Sequence, residues 1–239
     1  MQISTLIETV REDYLNDAVP DYLWSDKSLL RKLSEAQRQA CNRADLIFDN
    51  SNSSYVRFTL VENRTGYTFD QKITRIDRVS VNGVAMIKLT REAFNNLDTA
   101  LPGMADKDLY YCITGRTINV YPAPDTTDAG DYLQLEAYRL PDIDIESVSD
   151  ELEIPEENHR DLIWWVLHEC FNKPDIDTFN QEKQNKYLQK FEEVFGPYVS
   201  ARVRQHQFEN PLSSNITPQS NMKDYQREDY DDNPHSDSW

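Results

Sequence analysis

The sequence predicts an α+β chain: a helical bundle, an antiparallel β module inserted into it, and an extended C-terminal arm. Three observations lead there. Apolar residues recur at helical spacing over residues 4–47 and again over 155–208. Between Tyr55 and about Arg139 the period changes to two, with turn dipeptides between the runs. From Pro211 to Trp239 aliphatic residues thin out, and six acidic residues stand against two basic ones, with three prolines and no glycine. The two helical halves can pack together only if the β segment is an insertion. The boundaries expected are therefore 1–50 with 154–209 for the bundle, 51–153 for the β-rich module and 210–239 for the arm.

The first helix is expected from Ser4 or Thr5, because Thr5 and Glu8 have the spacing of a capping box. Leu6, Ile7, Val10 and Tyr14 then share a face. Asn16 to Ser25 is a connector carrying Pro20, Tyr22 and Trp24, the last placed as either a core lid or an interface residue. Ser25 suits the N-cap of the second helix, and Asp26 complements its dipole. Leu30, Leu33, Gln37, Ala40, Ala44 and Ile47 give that helix one stripe, and Ala36, Ala40 and Ala44 permit close packing. Asp49–Ser54 ends it with turn formers.

Tyr55–Val61 reads as a strand. Asn82-Gly83, between Ile76–Val81 and Val84–Leu89, is the strongest hairpin signal, since both residues tolerate positive φ. Thr90–Leu97 reads as a short helix. Leu109–Thr114 and Thr117–Tyr121 flank Gly115-Arg116 as a second hairpin, which Pro122 and Pro124 stop. Tyr132–Arg139 is a further strand. Helix returns at Pro155, with Glu156 and Glu157 at its positive end. Leu162, Ile163, Trp165, Val166, Cys170 and Phe171, with Trp164 and Leu167 on a second face, make it the central helix, ended by Pro174. A last helix runs from about Thr178 through Phe195. Gly196-Pro197 interrupts it before Tyr198–Phe208.

Lys and Arg number 25 and Asp and Glu 42, a net charge of −17 on 239 residues. That balance argues against sequence-independent binding of nucleic acid and against an anionic membrane as partner. The longest apolar run, Leu162–Leu167, has six residues and fits a buried helix rather than a membrane span. No basic n-region opens the chain, so no signal peptide is expected. Three distant cysteines, Cys41, Cys112 and Cys170, suggest neither a disulfide framework nor a zinc ribbon, and point to a reducing compartment.

Motifs that carry chemistry are sparse. His159 and His168 are nine residues apart, so they cannot share a metal as histidines four apart do; both are expected as surface or satisfied core residues. Asp142, Asp144, Glu146 and Glu153 occupy positions 1, 3, 5 and 12 of a calcium-loop template, but Ser147 stands where glycine is needed, so a solvated acidic loop is expected. With six glycines in the chain there is no phosphate-cradling loop, and Glu156-Glu157 and Glu192-Glu193 do not converge as a carboxylate pair. Asn52, Asn63 and Asn215 open sequons that mean little without a secretory signal. The expectation is a non-enzyme without cofactor or metal. Pro211, Leu212, Ile216, Met222, Tyr225, Tyr230 and Trp239 are spaced along the arm as anchors for a partner.

Several strings, in order, carry a resemblance. They are Asp21-Tyr-Leu-Trp-Ser-Asp26 with Leu30, Ser34-Glu-Ala-Gln-Arg-Gln-Ala-Cys41, Ile118-Asn-Val-Tyr-Pro-Ala-Pro124 and Leu140-Pro141. Ile154-Pro-Glu-Glu-Asn-His-Arg-Asp-Leu-Ile-Trp-Trp165 and Asp175-Ile-Asp-Thr-Phe-Asn180 follow, with Phe191 to Gly196 beyond them. Over residues 3–205 the chain resembles the head-to-tail adaptor (connector or neck) proteins of tailed bacteriophages, related in type to podovirus tail tubular protein A. The resemblance implies a virion structural protein, made in the host cytoplasm. It implies a ring, usually of about twelve copies, beneath the portal protein, extending the channel through which genomic double-stranded DNA passes without specific binding. A tail or nozzle protein would attach below. The portal-binding role falls on the arm by position alone. Another neck or tail-terminator ring, or a non-virion protein-binding module, is the alternative.

Overall fold

A computed structural model of the chain describes residues 1–19, 21–97, 103–104, 107–173 and 179–209. Helix α1 (Ile3–Thr9) runs into a π-helical segment, Val10–Leu15, that ends at a left-handed Asn16. The capping-box expectation is corrected here. The helix starts before Thr5 because Ile3 is already buried, Gln2 is the N-cap, and Thr5 lies inside, its carbonyl accepting from Thr9 Oγ1 at 2.8 Å. Helix α2 (Asp26–Ala44) is capped by Ser25, whose Oγ accepts from the Ser28 amide at 3.3 Å. It stops earlier than its apolar stripe suggests. Asp45 takes a left-handed φ of 50°, a conformation short polar side chains tolerate, and Ile47 opens a strand instead.

The strands are β1 (Ile47–Asp49), β2 (Arg57–Thr59), β3 (Gly66–Thr68), β4 (Ile73–Val81), β5 (Val84–Ala85) and β6 (Ile87–Lys88). After α3 (Arg91–Asn95) come β7 (Tyr110–Thr114), β8 (Thr117–Tyr121) and β9 (Tyr132–Arg139). The predicted strand Tyr55–Val61 shrinks to β2, because the Tyr55 and Val56 amides donate back to the Asn52 carbonyl in a turn. Both hairpins form. Asn82 and Gly83 have φ of 48° and 84°, and Val81 faces Val84. Thr114 faces Thr117 across Gly115.

The strands divide into two sheets. In one, β9 is flanked by β4 and β5 on one side and by both β1 and β2 on the other, all antiparallel. In the other the order is β3-β8-β7-β6, with β6 parallel to β7. The hairpin arm expected as Val84–Leu89 is thus cut in two: β5 stays with β4 and β6 crosses to the second sheet.

Helix returns later than Pro155. That residue is extended, a 3-10 turn follows at Glu156–Asn158, and α4 spans Leu162–Phe171. Helix α5 (Gln181–Phe195) starts at an Asn180 cap rather than near Thr178, which with Pro174 lies outside the described residues. Gly196 ends it at φ 86°, and α6 (Ala201–Glu209) follows.

Two apolar cores result. One joins α1, α2, α4 and α5, with Leu33, Leu162, Leu167 and Phe191 near its centre; Ile47 and Ile145 from outside the helices complete it. Trp24 is buried there, which settles it as core. The other lies between the sheets and holds Tyr67, Ile118, Leu133 and Leu135, with Phe208 of α6 inserted.

Candidate functional site

The helical and β cores meet at a band of ion pairs. Arg139, at the end of β9, donates from Nε to Asp49 Oδ2 and from Nη1 to Glu153 Oε2, both at 2.8 Å. Burial pushes the Asp49 carboxyl up, but amide donation from Asn52, the Arg139 bond and the Ser51 amide outweigh it and hold the group below its usual value. Lys72 reaches Asp142 at 2.7 Å, and the Tyr55 hydroxyl donates to the same carboxylate. Those two bonds, Lys72 first, depress Asp142, and the bond to Asp142, with one to the Tyr55 hydroxyl, raises Lys72. Asp45 takes Thr74 Oγ1 and Arg75 at 3.1 and 2.9 Å; burial nonetheless raises its carboxyl. Arg204 of α6 donates to Asn42 Oδ1 and to its carbonyl at 2.6 and 2.9 Å, while Phe208 plugs the β core. Helix α6 therefore straps one core to the other. These charges are held in pairs across elements, a geometry that fixes one unit against the other.

Most of the residues singled out for chemistry have structural partners. Of the four carboxylates on the calcium template, Asp142 binds Lys72, Asp144 binds Arg38 at 2.8 Å, and Glu153 binds Arg139. His159 Nε2 lies 2.9 Å from the Ile154 carbonyl, and its Nδ1 lies 3.1 Å from that of Met1. His168 Nδ1 lies 3.1 Å from the Gln184 carbonyl. Both rings are buried and help fasten α4. All three cysteines are free and buried, and burial pushes the Cys41 and Cys170 thiols up to about 12. Among the described residues no group of three or more His, Cys, Asp or Glu side chains could hold a metal ion.

A feature not singled out from the sequence is Arg11. Its guanidinium is buried under the connector and donates to Asp17 Oδ2 at 2.7 Å, to the Trp24 carbonyl at 2.6 Å and to Asp26 Oδ1 at 2.6 Å. The Tyr22 ring lies over it at 4.0 Å. Asp17 in turn accepts the Leu23 and Trp24 amides. These bonds hold Asp17 and Leu23–Trp24 to the helix, while Val19, Tyr22 and Leu23 face solvent at 76%, 44% and 58% exposure. The available signal was an arginine four residues after Ile7 on the apolar face, followed by Asp17 in the connector and Asp26 at the start of α2. Beside this loop, α2 and residues 144–146 enclose a groove of about 1070 Å³, whose floor includes Leu30 and Ile145.

The predicted arm anchors Pro211, Leu212, Ile216, Met222, Tyr225, Tyr230 and Trp239 all lie outside the described residues. The sequence model of the SU10 adaptor protein family matches residues 1–215. The chain belongs to that family of phage adaptor proteins. Membership covers both helical halves and the whole β segment of this SU10-type adaptor, and leaves residues 216–239 outside the match. A search of curated proteins found no match. Among the described residues, no helix of the adaptor is long and apolar enough to cross a membrane.

Proposed function

We propose that this adaptor is a non-enzymatic virion protein that forms a ring, of about twelve copies, under the portal protein and offers a platform to a tail or nozzle protein below. The observation that carries the reading is the family match over residues 1–215. The helical ends and the inserted β segment serve as two units in it, one for each neighbour along the axis. The net charge of −17 supports a lumen that repels DNA phosphate and lets the genome slide. The arm, through Pro211, Leu212, Ile216, Met222, Tyr225, Tyr230 and Trp239, docks the portal; an acidic segment with spaced aromatics stays soluble alone and orders on a partner.

The test is the mass of the chain alone and mixed with portal from the same source. A portal complex that gains about 336 kDa, twelve copies of 28.0 kDa each, is the expected result. A chain that stays at 28.0 kDa in the mixture refutes portal attachment. Removing residues 211–239 should leave a folded chain that no longer joins the portal, and full attachment by the truncated chain would take the role away from the arm.

A further inference from the structure

The outer face of the β9 sheet carries a set of arginines that simple alternation would scatter. Along β9, Leu133, Leu135 and Ala137 point into the core, so Tyr132, Gln134, Glu136 and Tyr138 point out. Their partners on β4 are Arg75 opposite Tyr138, Arg78 opposite Glu136 and Ser80 opposite Gln134. Arg75 and Arg78 differ in parity. Register shifts between Ile73 and Arg75 and between Ile76 and Arg78 bring both to the same side. Irregularities of this kind re-aim side chains. On the other flank Phe48 faces Tyr138 and Arg57 faces Gln134.

The result is a face of arginines laid on aromatic rings. Arg75 lies 4.2 Å from the Tyr138 centroid, Arg57 lies 5.2 Å from that of Tyr132, and Phe48 packs edge-on to Tyr138 at 5.4 Å. Arg78 pairs with Glu136 and Arg75 with Asp77 and Asp45, while Arg57 makes no ion pair among the described residues. A cleft of about 370 Å³ opens between Arg57, Arg78 and Tyr132. Arg and Tyr held in place are what buried interface anchors are made of.

A complementary surface lies elsewhere on the same chain. Arg139 is one residue from Tyr138, so it points to the reverse of the sheet, where it pins Glu153 and with it the loop 142–153. That loop is pre-formed. Glu153 Oε1 accepts the Asp142 and Ile143 amides, Asp150 Oδ2 accepts those of Glu146 and Ser147, and Ile145 is buried as an anchor. It presents Ile143 at 75% exposure and Val148 at 45%, with Glu146 and Glu151 exposed and without ion pairs among the described residues.

We propose that the occupant of the arginine–aromatic face is a second copy of this chain, docking through its loop 143–151. The loop brings carboxylates and aliphatic side chains to arginines and rings. Because the two surfaces are different patches of the chain, the contact is heterologous, head-to-tail, and repeats from copy to copy, as a closed ring requires. The inference rests on the ring reading above and specifies which surfaces make the ring.

Charge swapping tests it in the full chain. Arg57→Glu with Arg78→Glu reverses the face; Glu146→Arg with Glu151→Arg reverses the loop. Each pair alone should weaken self-association by roughly 10-fold or more, since like charges then meet. An equimolar mixture of the two variants should restore it, because every face then meets a loop of opposite sign. Cross-linking provides an independent readout. With Tyr132→Cys and Val148→Cys in one chain, a short bismaleimide should give a ladder of multimers, while either single variant should give none; the native thiols are buried and do not compete. Self-association that matches the wild type in both reversal variants, with no ladder from the double-cysteine chain, would overturn this contact and leave the ring standing. A wild type that does not oligomerise, alone or with portal, together with a double-cysteine chain that gives no ladder, would overturn the ring and this contact together.

Discussion

Replacing Arg11 by Met isolates the pairing that holds the connector. Met keeps most of the side-chain length and removes the charge. Three acceptors lose their donor: Asp17, the Trp24 carbonyl and Asp26. Their costs differ. The Asp26 side chain is 63% exposed, so water replaces the arginine at little loss. The Asp17 side chain is only 9% exposed and is left as an uncompensated carboxylate, although it keeps the Leu23 and Trp24 amides. Breaking a buried pair by removing one partner costs about 3–5 kcal/mol, and the retained amide bonds place the expectation at about 3 kcal/mol. For a chain of this size that lowers Tm by roughly 6–12 °C. Denaturant unfolding followed by tryptophan fluorescence reads it, because Trp24, Trp164 and Trp165 all belong to the helical core. In the same assay Asp17→Asn should cost much less on the Arg11→Met background than alone, since the charge it removes is then already a liability. A loss below about 1 kcal/mol, or additive costs in the double variant, would refute the account of Arg11 as the anchor of the connector.

Other expectations follow from the same coordinates. Phe208→Ala should release α6 from Phe69, 5.3 Å away, and show as faster amide exchange across Ala201–Glu209, because the strap opens locally before either core unfolds; unchanged exchange would mean that Phe208 does not hold the strap. Gly83→Ala meets no atom within 4 Å and should cost only the strain of φ 84°, about 1 kcal/mol. Gly103→Ala should cost clearly more in the same unfolding experiment, since its Cβ would lie 2.5 Å from Asp125 Oδ2 at a φ of 102°. Asp49 has a folded pKa held below its usual 3.8, so its stabilisation is complete above that value and disappears as pH falls through the folded value. Arg139→Gln should therefore move acid unfolding to higher pH, and an unmoved acid limb would remove Asp49 from the account. Asp45, raised by burial, works with the opposite sign and gains stability for the fold as it protonates.

Period and punctuation carried most of the fold. The change from helical to alternating spacing near Tyr55, the Asn82-Gly83 and Gly115-Arg116 turns, and the Ser25 cap are local signals, and the structure places each where its chemistry demands. What local signals could not carry were decisions made by distant partners. The helix α2 stripe runs on to Ile47 because Ile47 is buried in the same core, yet the backbone has already turned at Asp45, whose side chain is held by Thr74 and Arg75 of β4. The crossing of Ile87-Lys88 to a second sheet depends on Tyr110 and Tyr111, more than twenty residues away. Arg11 escaped notice because a charged residue on an apolar face reads as an exception until the acids that receive it are placed. The arginine face escaped for a different reason: it exists only because of two register shifts in β4, and an alternating pattern gives no sign of them.

The charge of the chain sets the terms on which copies can meet. With −17 per subunit, bringing copies together in the proposed ring gathers like charge, and the repulsion grows with every added neighbour. Attraction must then be concentrated where cations can be spared from internal duty. Several buried arginines are committed: Arg11, Arg43 and Arg139 each hold carboxylates within the fold. Arg57 is not, and Arg78 has a single half-buried glutamate, Glu136. Added salt then acts in two directions. It screens the long-range repulsion between subunits, and it weakens contacts at the exposed rim more than contacts that become desolvated on docking. A contact built on Arg57 and Tyr132 with Ile143 and Val148 combines charge with apolar burial, so it retains attraction where screening has removed most of the repulsion. An acidic subunit can form a closed ring on those terms without giving its lumen a surface that binds DNA.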